Sequence, residues 1–325
     1  MNEQESPVTA QAKARSAPHV KDAERDQVLP KPRRSFSRAP LRFLAPYLIL
    51  TAVFFVYPFL KSVVLAFYQT NGPRARVFVG LDNFVYLWND PVFHRAMWNT
   101  TVFAFFSIFL QLPLSMGLAL LLRASRPRVR NVLRVVLFSP NLVGQIFVGI
   151  LCSVMLAPRY GLVNRVAHAL LSTDLDMPWL TSPQLVMPAI VLTSLWIWVG
   201  FNMIYFLAAL EAVDPSLEEA ARIDGANAFQ TFFHVTLPSI RHVVVFVTVM
   251  SMIGSYQLFE LPMALLSTSN GFGPDNSGLT LITYLNEVAF RSGDLGLGAA
   301  VGWVVALIIF SMSLVQMRVT GGLHD

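Results

Sequence analysis

Six apolar runs, each long enough to cross a bilayer, constrain this chain more than any other feature. They are Leu44–Phe67, Trp98–Leu122, Val132–Leu156, Leu185–Leu210, Val243–Leu266 and Leu297–Met317. About 20 apolar residues in a helix span the hydrocarbon core. Lipid offers the backbone no partners, so each run is expected to be a helix. Five of the six carry an interior proline, at Pro58, Pro113, Pro140, Pro188 and Pro262. Membrane helices accommodate these as kinks. Only 13% of the residues are charged, about half the share in soluble domains. The fold class expected is therefore all-α and polytopic, with six transmembrane helices.

The net charge of +5 is concentrated in the leading segment, where nine Lys/Arg face five Asp/Glu before Phe43. This places the basicity in a tail and gives no sign of a nucleic-acid-binding face. Residues 1–42 are polar and interrupted by Pro7, Pro18, Pro30, Pro32 and Pro40, a composition expected of a disordered tail. Lys/Arg in the flanks set orientation. The tail, the segment from Arg123 to Arg134, Arg222, Arg241 and Arg318 share one side with 17, and the other side has six. The richer side is expected to be cytoplasmic, with both termini inside.

Several chemistries find no residues here. No lysine follows a glycine, so there is no GxxxxGK[ST] phosphate loop. One cysteine, Cys152, and six scattered histidines form no zinc cluster. No metal site and no catalytic residues are expected. Glu260 and Lys61 sit near the outer ends of their runs, within reach of the interface. The lack of a central carboxylate counts against proton- or sodium-coupled transport by an ATP-independent secondary transporter.

The informative segment is the loop at about 211–240, before the fifth run. Asp214 suits an N-cap and Pro215 the first helical position. Gly225 suits the left-handed position that stops a helix. A second short helix is expected from about Asn227 to Val235, ended by Pro238. Glu219-Ala220-Ala221, then Asp224-Gly225-Ala226, with Leu237-Pro238 downstream, resembles the EAA loop of ABC-importer permease subunits.

The resemblance extends over nearly everything after the tail. Val79-Gly80-Leu81-Asp82-Asn83-Phe84 and Trp98-Asn99-Thr100 are similar to the first outer loop and second span of sugar-type permeases. Tyr160-Gly161-Leu162-Val163-Asn164 is similar to their second outer loop. Leu195 to Asn202, Phe259-Glu260-Leu261-Pro262 with the Gly271–Gly278 loop, and Phe290-Arg291-Ser292-Gly293-Asp294-Leu295-Gly296 follow in the family's order. The chain is identified as a member of the carbohydrate-uptake group, closer to its MalF/UgpA-like half.

That resemblance implies a type I ABC importer permease (MetI-like) fold over 43–325, in a bacterial inner membrane. It implies a second permease subunit as heterodimer partner, an ATP-binding subunit dimer and an extracytoplasmic substrate-binding protein. ATP and Mg would be used by the partner ATPase and none bound by this chain. Glu219, Ala220, Ala221, Asp224, Gly225 and Pro238 would carry the coupling to that ATPase. A sugar path would draw on aromatic faces and hydrogen-bonding groups: Trp198, Asn202, Tyr205, Ser251, Ser255, Tyr256 and Gln257. Glycerol-3-phosphate or another small solute is the alternative cargo.

Overall fold

The computed structural model describes residues 39–72, 75–171 and 176–319. The tail expected over 1–42 lies outside these residues except for Ala39–Arg42, which belong to a helix. By internal contacts the chain divides into a unit ending at Phe55 and a second from Val56 onward. The first holds helix α1 (Ala39–Thr51), with Pro46 inside it.

The second unit begins with α2 (Tyr57–Leu65) and a short antiparallel hairpin, β1 (Tyr68–Asn71) and β2 (Ala75–Phe78). It continues with α3 (Asp82–Asn89), α4 (Pro91–Ala124), α5 (Pro127–Val143), α6 (Gln145–Met155) and α7 (Leu162–Leu171). Then come α8 (Pro183–Glu211), α9 (Pro215–Ile223), α10 (Ala228–Ser239), α11 (Arg241–Tyr256), α12 (Glu260–Leu265), α13 (Leu281–Asn286) and α14 (Leu295–Val319). Four helical stretches are each long and apolar enough to cross a membrane alone: Leu44–Leu65, Pro91–Ala124, Pro183–Glu211 and Leu295–Gln316. α8 is apolar all round and the most buried of them, which marks it as the central helix.

Two of the six expected spans are broken outright. The run Val132–Leu156 is two helices, α5 and α6, bent by 98° at Gly144. Gly144 has φ +91, a conformation that side chains resist and glycine adopts freely. The run Val243–Leu266 is also two pieces, since α11 stops at Tyr256 and α12 starts at Glu260. Pro262 explains the second break. Its ring would clash with the carbonyl four residues earlier in a continuous helix. That carbonyl belongs to Leu258, and it accepts the Thr280 hydroxyl at 2.7 Å instead. α10 and α11 meet at a further bend of 74°. Elsewhere, proline is absorbed without a break. The helix widens into a π-turn at Ser107–Gln111 before Pro113, and at Phe232–Thr236 before Pro238.

The polar motifs of the outer-loop segments hold the bundle together. Asn83 donates to the carbonyls of Ala66 and Tyr68 at 2.9 and 3.0 Å. Asn99 donates to those of Asn276 and Leu279 at 2.8 and 3.0 Å. Thr100 accepts the Leu281 amide at 3.0 Å. Asn164 donates to Pro158 and Met177 and accepts from the Trp179 indole. Asp294 accepts from the Leu297 amide at the start of α14 and from both the amide and hydroxyl of Thr70. It therefore ties the hairpin to the last helix. Asp294→Ala is expected to free residues 68–72 and 75–78, costing about 1–2 kcal/mol locally. Faster hydrogen exchange there, with α8 unchanged, is the measurement that checks it.

Candidate translocation cavity and coupling surface

Both breaks beside α6 and α12 open onto one cavity of about 310 Å³, near the lower end of small-molecule pockets (roughly 300–1,000 Å³). Irregular backbone at membrane depth persists only where it is buried in protein or lines a cavity. Here Gln145 follows the Gly144 bend, and Gln257, Leu258, Phe259 and Glu260 form the gap between α11 and α12. α8 supplies Ser194, Trp198, Phe201 and Asn202, and α11 supplies Met250, Ser251, Gly254 and Ser255. Phe103 and Gln111 of α4 close the lining.

Five of the seven residues singled out for a sugar path line this cavity: Trp198, Asn202, Ser251, Ser255 and Gln257. The Asn202 amide donates to the Ser251 hydroxyl at 3.3 Å, linking α8 to α11. Ser255 donates to the Ser251 carbonyl of its own helix at 2.8 Å. The other two lie elsewhere. Tyr256 is 2% exposed, and its hydroxyl sits 3.3 Å from that of Thr101 in the core. Tyr205 follows Trp198 and Phe201 in a ladder of ring contacts and lines a separate hollow with Leu217 and His242. Depth along the helix accounts for Tyr205, because residues 198 and 205 share a face but lie about 10 Å apart along the axis. Gln111, Gln145 and Glu260 reach the cavity without having been singled out for the path. A glutamine inside an apolar run was the available signal.

The 211–240 loop is built from local rules. The Asp214 side chain accepts the Ser216 amide at 2.9 Å, capping α9. Those hydrogen bonds hold its carboxyl below the usual carboxylate range. α9 ends in a Schellman motif: Gly225 N–H donates to Arg222 O, and Ala226 N–H donates to Ala221 O. Gly225 has φ +86. Asn227 and Gln230 then form a reciprocal capping box for α10. The second helix does not stop at Pro238, as expected, but runs to Ser239. The π-turn before Pro238 removes the clash that would have ended it.

Glu219, Ala220, Asp224, Gly225 and Pro238 are exposed, and Ala221 is half-buried. Large apolar side chains stand beside them, with Ile223 86% and Phe229 71% exposed. The neighbouring Glu218 does the opposite and turns inward. It accepts from Arg123 at the end of α4 at 2.8 Å and from the Thr236 hydroxyl at 3.0 Å. Burial disfavours its charge, but the Arg123 and Thr236 hydrogen bonds and the charges of Arg123 and Arg222 outweigh that. The carboxyl is held below its ordinary value. A second pair, Arg130 with Glu211 at 2.8 Å, joins α5 to the end of α8 and is more exposed. Sidedness counting had used Arg123 and Arg130 only as charge; the structure makes them braces for the loop.

The direction of the Glu218 shift sets a pH dependence. A lowered folded value means the brace contributes fully above the ordinary glutamate value of about 4.3. It is lost as pH falls through the lower folded value. Amide protection of α9 is expected to hold from pH 7 to 5 and to weaken below about pH 4. Protection rising on acidification would contradict this.

A family profile described as binding-protein-dependent transport system inner membrane component matches residues 111–322. The chain belongs to that family. Among its relatives, the arabinooligosaccharides transport system permease protein AraP of Bacillus subtilis is 34% identical over 87% of this chain and 88% of its own length. The lactose transport system permease protein LacF of Rhizobium radiobacter is also 34% identical, over 84% and 91%. Among solved structures, a bacterial alginate ABC transporter in complex with an alginate pentasaccharide-bound periplasmic protein shares the fold. Its TM-score is 0.76 at 23% identity, over 87% of this chain and 96% of that one. This permease is thus an inner-membrane transport subunit of the ABC importer class and not an enzyme. Four helices are long and apolar enough to cross a membrane alone, and the number reaches six if each bent pair, α5–α6 and α10–α11, is one span. Among its described residues no cluster of three His, Cys, Asp or Glu could hold a metal.

Proposed function

We propose that this permease carries an oligosaccharide through the cavity between α8, α11 and the two helix breaks, in an importer driven by partner ATPase subunits. The observation that carries the reading is the lining itself. Trp198, Phe103, Phe201 and Phe259 offer ring faces, and Gln111, Gln145, Asn202 and Gln257 offer carboxamides that both donate and accept. Sugars present the matching combination of apolar ring faces and hydroxyls. Relatives named for arabinooligosaccharides and lactose support the same class.

In this reading the Arg-rich side is cytoplasmic and both termini lie there. The exposed Glu219-Ala220-Ala221 face of α9, with Ile223 and Phe229, docks on the ATPase, which holds the ATP and Mg. A second permease subunit closes the open side of the cavity, and an outer binding protein delivers the sugar. ATP-driven closure of the ATPase pair moves α9, and the braces at Arg123 and Arg130 pass that motion to α4 and α5. The cavity alternates between the two sides as a two-state element biased by a ligand at each end.

The test is uptake of labelled oligosaccharides into proteoliposomes holding the co-expressed transporter and its binding protein. Uptake is expected to need internal ATP and magnesium. Uptake that persisted without ATP under a proton gradient would overturn the reading. Gly225→Pro, which cannot adopt φ +86, and Glu219→Lys are each expected to reduce ATPase co-purification at least tenfold with normal membrane insertion. Undiminished co-purification in both would remove the docking role from this face.

A further inference from the structure

The cavity has one ionisable side chain. Of the residues that line it, only Glu260 carries a charge, and none is lysine, arginine or histidine. Glu260 is exposed to the cavity at the first position of α12, placed there by the break that Pro262 forces. It has no ion-pair partner among the described residues. Its neighbours Gln257 and Gln145 are neutral carboxamides. A carboxylate in such a place is an acceptor only, so it welcomes the donors of a sugar diol through charge-assisted hydrogen bonds. It repels a second carboxylate or a phosphate, and the low-dielectric walls carry that repulsion further than water would.

We propose that Glu260 is a specificity-determining residue that restricts the cavity to neutral or amine-bearing saccharides and excludes uronate- and phosphate-bearing ones. This rests on the cavity being the sugar path. The hydroxyls of a bound residue donate to Glu260, while the carboxamides of Gln257, Gln145, Asn202 and Gln111 supply the complementary donors. An anionic sugar would bring its charge against Glu260 with no cation among this subunit's lining residues to offset it.

The test uses the purified complete transporter and matched probes: arabinotriose, cellotriose and maltotriose, each with its C6-oxidised or aldonic-acid form. Binding is read as a change in tryptophan fluorescence, assigned to the cavity by its loss in Trp198→Phe. The wild type is expected to bind at least one neutral trisaccharide and to bind its acidic form at least tenfold more weakly. Glu260→Gln is expected to narrow that gap about tenfold, the equivalent of one pKa unit of interaction, and Glu260→Asp to restore it. The gap should also shrink as salt is raised. Equal binding of neutral and acidic forms to the wild type, or a gap unmoved by Glu260→Gln, would overturn the role of Glu260 and leave the cavity as the path. Absence of any saccharide-dependent signal assigned to Trp198 would overturn the cavity reading, and the inference with it.

Discussion

Gly200→Ala is expected to be among the most damaging single-methyl changes in the bundle. A Cβ at Gly200 would stand 1.8 Å from the Leu137 carbonyl oxygen and 2.4 Å from its carbon. Both atoms are backbone of α5, so no rotamer change relieves the clash. Small residues let membrane helices approach to backbone contact, and here that approach seats α5 on the central helix, with the Phe138 and Phe201 rings stacked beside it. Relief requires α5 to move away from α8, costing roughly 1–3 kcal/mol or more. The cavity wall at Trp198 and Phe201 would shift with it. Gly117→Ala is the control. A Cβ there meets nothing within 4 Å, so the gain in helix propensity, about 1 kcal/mol, is uncompensated by strain. Thermal unfolding of the purified transporter should fall clearly for Gly200→Ala and hold or rise for Gly117→Ala. Equal behaviour of the two would show that the α5–α8 approach is not close in the assembled protein.

The second large effect is expected at the loop brace. Arg123→Ala leaves the inward-facing Glu218 carboxylate, whose side chain is 13% exposed, with Thr236 as its remaining hydrogen-bond donor. The cost is about 1–3 kcal/mol, concentrated in α9. Arg130→Ala should cost about 0–1 kcal/mol, because that pair is more exposed and better screened. ATP-driven uptake should therefore fall several-fold in Arg123→Ala and little in Arg130→Ala, at equal membrane levels. The Arg123→Ala, Glu218→Gln double variant should recover part of the loss, since it removes the uncompensated charge as well. A double variant worse than both singles would point to a role for Arg123 other than bracing Glu218.

Much of the structure of the 211–240 loop was legible in the chain because its signals are local. Asp214 caps, Pro215 starts, Gly225 stops and Asn227 restarts within a few residues of one another, and each conformation follows from the side chain in place. The break at Pro262 was less legible. A proline can sit within a continuous helix, follow a π-turn or stand at a helix break, and all three outcomes occur here, at Pro140, at Pro113 and Pro238, and at Pro262. Which one results depends on what waits to take the freed carbonyl, and for Leu258 that is Thr280, 22 residues away. The motif Glu219-Ala220-Ala221 drew attention to the outward carboxylate. Glu218 suits the positive N-terminal end of its helix as Glu219 does, but nothing along the chain marks it as the one that turns inward, because its partner Arg123 is 95 residues distant.

Six apolar runs were enough to settle the membrane class, and the resemblance of the loop motifs, in their order, pointed to the family. Hydrophobicity and short-range backbone geometry are properties that a linear chain carries whole. Which polar residues share a cavity was decided by tertiary packing. Gln111, Gln145, Asn202 and Glu260 come from four separate stretches, and they meet only because Gly144 and Pro262 break two helices at the same cavity. Tyr205 and Tyr256 have the same chemistry as the lining and lie outside it. Their depth along a helix and the face they turn to a neighbour depend on how the helices pack, and composition does not encode that.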